Sequence, residues 1–266
     1  MIRNPVVAGQ FYPSEPKILI HYLENYIKKM PKKSALGAIV PHAGYVYSGG
    51  VAGVVYGCLQ LPDTFIVLGP NHSGMGKPFA VMDRGIWKTP LGEVSINENL
   101  AQIVLTESGL FTPDIMAHNY EHSIEVQLPF LQYLKSDFTF VPIVLSHTWY
   151  SNCEIMGNAL AKAIQKFGKP TLIIASSDMT HYEPHETAKA KDNMAIEQIL
   201  ALDAAGLYET VHSKNITMCG IIPATVMLIA TKSLGAKKAE LVSYATSGDI
   251  SGDYSQVVGY AGIIIK

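Results

Sequence analysis

Thr171-Leu-Ile-Ile-Ala-Ser-Ser-Asp-Met-Thr-His-Tyr182 is the stretch on which the fold turns. Leu172 to Ala175 is a continuous apolar run without alternation, the pattern of a strand buried on both faces of a mainly parallel sheet. The chain then turns polar at Ser176, Ser177, Asp178, Thr180 and His181. A buried strand that delivers an acid and an imidazole at its carboxyl end places them where open α/β sheets hold their ligands. Asp178 alone could be a turn or helix cap. Other strands that end the same way favour the functional reading.

Working outward, Leu36 to Val40 reads as a buried strand running into Pro41-His42-Ala43-Gly44-Tyr45. Phe65 to Leu68 reads as another, running into Gly69-Pro70-Asn71-His72-Ser73-Gly74. Phe138 to Leu145 leads to His147, and its Pro142 points to an edge strand or a bulge. Helical spacing falls between these strands. One helix is capped by Ser14 with Pro16 in its first turn; others cover Val51–Leu59, 97–108, 152–167, 186–202 and 204–213. Ser123 is the expected cap of a helix through Leu134 that Pro129 must kink or start late. A last helix follows Gly220 and closes on Leu234-Gly235. Phe79 to Met82, a hairpin turning at Trp87 to Gly92, and the runs Leu241–Ala245 and Val257–Ile265 add strands. Strands alternating with helices throughout predict one α/β domain over residues 1–266, a three-layer α/β/α sandwich on a central mixed sheet.

At 266 residues, 48% hydrophobic and 16% charged, the chain can bury a large core. A net charge of -2 gives no reason to expect nucleic acid. The apolar runs are strand-sized, so no membrane span is expected. Pro5 and Gly9 interrupt the N-terminus, so it does not read as a signal peptide. Cys58, Cys153 and Cys219 are widely spaced and odd in number, which suits a reducing compartment and makes the cytoplasm the expected location.

If the strand ends converge, His42, His72, Asp178, His181 and Cys219 form the candidate set, with Glu121, His122 and His147 nearby. Imidazole and thiolate suit iron, copper or zinc, and two histidines plus one anionic ligand is an arrangement used by non-haem iron. Cys219 lies at an apparent helix N-terminus, which lowers a thiol's pKa. One helical turn would set Asp178 and His181 on one face as an acid–base pair. The plainer readings are that His42 and His72 satisfy backbone groups and that Cys219 is a small buried hydrophobe. His118 and His122, four apart, lack the His-Glu-x-x-His pattern, and Glu121 and His122 read as residues that orient ligands. His21, His185 and His212 read as surface residues.

Several segments together resemble one family. They are Asn4 to Pro13, Pro41 to Gly49, Leu68 to Gly74, Glu121 to Pro129, Ser176 to Tyr182 and Ser247 to Asp253. They are similar to the Memo family, whose prokaryotic members are called AmmeMemoRadiSam system protein B. That family's fold resembles the class III extradiol (LigB-like) dioxygenases, which cleave catechol rings with ferrous iron. The resemblance implies His42 and His72 as metal ligands, with Cys219 standing where those enzymes have a carboxylate. It implies His181 as the acid–base histidine with Asp178 beside it, iron(II) or copper as cofactor, and Glu121, His122, Tyr45 and Phe11 around the ligands or substrate. Animal members are described as binding phosphotyrosine peptides in this cleft through a tryptophan, where this chain has Phe11. Three functions follow as expectations. The first is a metal-dependent redox enzyme acting on a small molecule. The second is a non-catalytic module that binds a peptide or protein, and the third is a metal-free Cys219/His181 hydrolase.

Overall fold

Strand β9 (Thr171–Ser176) is buried at every position and runs parallel between β2 (Gly37–Val40) and β3 (Thr64–Pro70). The structure, a computed structural model, describes all residues from Met1 to Lys266. The other strands are β1 (Ile2–Arg3), β4 (Phe79–Val81), β5 (Ile86–Thr89), β6 (Gly92–Ile96), β7 (Thr112–Pro113), β8 (Thr139–Leu145), β10 (His181–Glu183), β11 (Ala239–Thr246) and β12 (Val257–Ile265). They form one sheet in the order β1-β5-β6-β8-β3-β9-β2-β12-β10, with β4, β7 and β11 paired at its sides. The centre is parallel, whereas β12 runs antiparallel to β2 and β4 antiparallel to β8. The mixed sheet expected from the sequence is therefore present.

Helices cover both faces. On one lie α1 (Pro16–Tyr26), α2 (Tyr45–Cys58) and α4 (Leu128–Leu134). On the other lie α3 (Glu98–Glu107), α5 (Tyr150–Phe167), α6 (His185–Leu200), α7 (Ala204–Ser213) and α8 (Ile221–Ser233). A short α9 (Gly248–Ser251) stands beside β11. This is the α/β/α sandwich. The helix after β2 packs on one face and the helix after β8 on the other, so the connections diverge beside β9. Open α/β sheets bind ligands at the carboxyl ends around such a point.

Local expectations fail in four places, the first being α2, which starts at Tyr45 and not at Val51. Pro142 is neither on an edge nor in a bulge: β8 pairs β3 continuously, with Pro142 opposite Val67. On its other side β8 meets β6 only up to Phe140 and β4 only from Ile143, so the missing N–H of Pro142 faces the gap between those two strands. Ser14 does not cap α1, which begins after Glu15 with no side-chain cap. Ser123 caps nothing either. A 3₁₀ turn, Glu125–Gln127, comes first, and Pro129 sits in the opening turn of α4. Of the sequence's two alternatives for Pro129, the late start is the one adopted.

Candidate metal centre

The loops after β2 and β3 carry His42 and His72 and flank the end of β9, because β9 lies between those strands. A third imidazole, His122, enters from the segment that precedes α4. The three rings form a triangle with centroids 5.1 Å (His42–His72), 5.5 Å (His42–His122) and 4.5 Å (His72–His122) apart. One donor atom from each lies within 4.8 Å of the other two, a grouping that could hold a metal ion.

The His122 segment can sit this close because Gly69, in β3, has no side chain. A Cβ there would stand 2.3 Å from Ser123 Oγ. The segment is also held by the N-terminal arm. Arg3 donates to the carbonyls of Glu121 (2.7 Å) and His118 (3.1 Å) and forms a buried ion pair with Glu125. Glu125 in turn accepts from the backbone of Val6 and Val7 and, at 2.6 Å, from the Tyr12 hydroxyl. The same arm places the Phe11 ring 4.7 Å from His122. Tyr45 is buried, donates its hydroxyl to the Val126 carbonyl at 2.6 Å and its N–H to Phe11, and so braces the arm instead of facing a ligand.

Glu121 orients the group from beneath. It is fully buried; Oε1 accepts from His72 Nδ1 at 2.8 Å and from the Ser123 N–H at 2.9 Å, and Oε2 accepts from the His72 N–H at 2.7 Å. Burial works to raise its pKa, but the His72 bond and charge together with the Ser123 N–H hold it down to about 2. A carboxylate only accepts, so His72 Nδ1 is the donor and Nε2 is the nitrogen left to face the cluster. Burial and the other imidazoles lower His42 to about 3, and burial with the His42 charge lowers His122 to about 4. Both rings are therefore neutral, the form that binds metals.

Cys219 stands just ahead of α8, with Sγ 3.2 Å from His42 Nε2 and accepting from the Asp178 N–H at 3.2 Å. It touches His42 but does not belong to the three-histidine group. That separation is shorter than a metal–nitrogen plus a metal–sulfur bond, about 2.0–2.1 and 2.3 Å for zinc, so one ion can touch both atoms. The donor chemistry fits a metal. The thiol, however, is not activated as its helix-terminal position suggested. Burial, aided by the Asp178 charge, pushes its pKa upward and outweighs the nearby N–H donors.

Asp178 and His181 are not the hydrogen-bonded pair that a helical turn would have made, because the chain there is extended into β10. Asp178 Oδ1 accepts from the His42 N–H at 2.8 Å, and burial raises its pKa. His181 Nδ1 lies 2.9 Å from the Thr217 carbonyl, which can only accept, so Nδ1 is the donor and Nε2 is the nitrogen without a protein partner. No hydrogen bond joins His181 to Cys219, the contact a Cys/His hydrolase needs. His147 is exposed and pairs with His212 at 5.3 Å, apart from the group. His118 is fully buried, His21 is exposed, and His185 is half-buried against Tyr254.

A profile of the family described as Memo-like protein matches residues 3–264. The chain belongs to this family. It is 43% identical over 281 residues to a MEMO1 family protein of Methanopyrus kandleri, covering 100% of this chain and 99% of that one. It is 46% identical over 268 residues to a MEMO1 family protein of Methanosarcina barkeri, covering 100% of each. Among solved structures, the crystal structure of an uncharacterized protein, JW3007, from Escherichia coli K12 superposes with TM-score 0.57 at 14% identity. The match covers 86% of this chain and 98% of that one and supports the fold. In this Memo-like protein the histidine cluster lies at the carboxyl end of the central strands.

Sequence reading placed His122 among the orienting residues, whereas the structure puts its ring in the cluster and gives the orienting role to Glu121. Ser176 and Gln127, which bond around His42, had no role assigned from the sequence. A glutamine amid the apolar Ile124, Val126, Leu128 and Phe130 was the available signal, since a buried amide must find partners.

No helix is long and apolar enough to cross a membrane.

Proposed function

We propose that this Memo-like protein is a metal-dependent redox enzyme. Its ion, iron(II) or copper, is held by His42, His72 and His122, with Cys219 as the sulfur donor. The observation that carries this reading is the convergence of three imidazoles within 4.8 Å, with a thiol against one of them. Mixed imidazole and sulfur donors suit iron and copper. Bound there, such an ion supplies one-electron chemistry and Lewis acidity. Metal coordination deprotonates a thiol outright, so the raised pKa of Cys219 makes its thiolate depend on the ion.

The chain's own groups do the rest. Glu121 fixes His72 and, through Ser123, the segment that carries His122. His181, with Nδ1 committed to Thr217, offers Nε2 as the proton acceptor for a substrate in the cleft. Asp178 anchors the His42 loop by accepting from its N–H. The substrate is a small molecule or the side chain of a peptide that reaches the cleft.

Cobalt(II) titration tests the donor set. His72→Ala and His122→Ala should each weaken uptake by at least about tenfold, and Cys219→Ser should abolish the sulfur-to-metal charge-transfer band. Unchanged affinity in both histidine variants, together with an unchanged spectrum for Cys219→Ser, would contradict it.

A second reading, a module that binds a partner without catalysis, is favoured by the aromatic rings beside the cleft. Tyr120, next to Glu121, is 65% exposed, and Tyr182, next to His181, is 72% exposed. Partner binding that persists in metal-free protein and is lost on substituting Tyr120 and Tyr182 would support that reading over the first.

A further inference from the structure

Beneath His42 lies a chain of three buried polar side chains, Ser176, Gln127 and Tyr56, whose hydrogen-bond directions are fully determined. Gln127 Nε2 is 3.0 Å from the Pro41 carbonyl oxygen and 2.8 Å from Ser176 Oγ. A carbonyl can only accept, so the atom facing Pro41 is the amide nitrogen, and Gln127 also donates to Ser176. Its Oε1 accepts from the Tyr56 hydroxyl at 2.8 Å. The Ser176 hydroxyl has one hydrogen and gives it to the Ser123 carbonyl at 2.7 Å.

His42 Nδ1 lies 2.9 Å from the same Ser176 oxygen. That oxygen has spent its hydrogen on Ser123 and one lone pair on Gln127. It has one acceptor site left and no proton to give. His42 must therefore be the donor. Ser176, Gln127 and Tyr56 are all buried, so water does not compete for these bonds.

We infer that Ser176, oriented by Gln127 and Tyr56, is a positioning residue that locks His42 in the Nδ1–H tautomer and turns its bare Nε2 toward Cys219 and the histidine cluster. The far side of the ring agrees. Cys219 Sγ accepts from the Asp178 N–H and lies closer to Nε2, at 3.2 Å, than to its other acceptor, the Asp178 carbonyl at 3.6 Å, so a bare Nε2 is the nearer partner for its hydrogen. His42 and His72 thus use one device with different parts, a hydroxyl in one case and the Glu121 carboxylate in the other. A carboxylate beside His42 would have added a buried charge next to Asp178; a serine sets the tautomer without one. Ser176 also ties β9 to the Ser123 carbonyl, so the same side chain holds the segment that carries His122.

The inference rests on the metal-binding reading for its purpose, but its test does not. Nitrogen-15 histidine spectra of the full-length, metal-free protein, with His42 assigned by its loss in His42→Asn, report which ring nitrogen bears the proton. The expected result is protonated Nδ1 and bare Nε2. Protonated Nε2 in the unaltered protein overturns the inference without any variant. In Ser176→Ala, checked for folding by its thermal transition, the tautomer should shift toward Nε2–H. Zinc affinity should fall about 10- to 100-fold, as for other residues that orient ligands. Tyr56→Phe should keep the tautomer, because the Pro41 carbonyl still fixes the Gln127 amide. A folded Ser176→Ala protein that retains Nδ1–H would also overturn the inference. If the tautomer is as expected and the unaltered protein takes up no zinc, the positioning role stands and the metal-binding reading fails.

Discussion

Glu121 grips His72 twice, taking its ring Nδ1 on one oxygen at 2.8 Å and its backbone N–H on the other at 2.7 Å. The imidazole cannot rotate without breaking a charge-assisted bond inside a fully buried carboxylate pocket. Its direction is therefore set before any ligand arrives.

Glu121→Gln keeps the shape but replaces a doubly accepting anion with an amide that can accept on one side only. Metal affinity should drop about 10- to 100-fold, measured by competition with a chromophoric chelator. Affinity equal to that of the unaltered protein would mean that the bond does not orient His72.

The pair Arg3–Glu125 fastens the N-terminal arm to the His122 segment with both side chains buried. Glu125→Gln leaves the Arg3 charge without its counter-ion in the interior, and such single removals cost about 3–5 kcal/mol. Urea unfolding should show a loss of that order. Because Phe11 and His122 move with the arm, metal affinity should fall too. A loss under about 1 kcal/mol would show that the clamp is not a structural tie.

His118 is fully buried, and neither ring nitrogen has a hydrogen-bond partner. Burial, reinforced by the Arg3 charge, depresses its pKa to about 3. The unfolded chain takes a proton on this residue below about pH 6.5, while the folded chain takes none until near 3. Its stabilising contribution is thus complete above about pH 6.5 and is lost progressively as pH falls. The loss is on the order of 3 kcal/mol by pH 4, at about 1.4 kcal/mol per pH unit. His118→Phe should unfold at a lower pH than the unaltered protein in an acid titration followed by circular dichroism. An unchanged acid midpoint would count against this role.

Cys219 is partly exposed, yet its thiol pKa is raised by burial and then by Asp178. In metal-free protein it should react with iodoacetamide at pH 7.5 more slowly than a free thiol, since the thiolate is the nucleophile. Labelling as fast as a free thiol would mean that the helix terminus outweighs desolvation.

The central strands were legible because each is buried on both faces and reads as an unbroken apolar run. Parallel pairing then brings the carboxyl ends together, so His42, His72 and the Ser176–Asp178 turn could be placed side by side from sequence. His122 could not. Its position depends on an ion pair between Arg3 and Glu125, residues far apart in sequence, and on a glycine at 69 that admits Ser123. Asp178 and His181 misled because three-residue spacing implies a shared face only in a helix, and here the chain is extended. Pro142 misled because a proline can lie inside a sheet where two shorter strands leave a gap opposite it.

The most direct test of the central claim is the metal content of the protein purified anaerobically without chelator, beside its His42→Asn variant. The account predicts near-stoichiometric iron or copper in the first and a folded, metal-depleted protein in the second. A folded unaltered protein that carries neither metal and takes up neither on addition would contradict it.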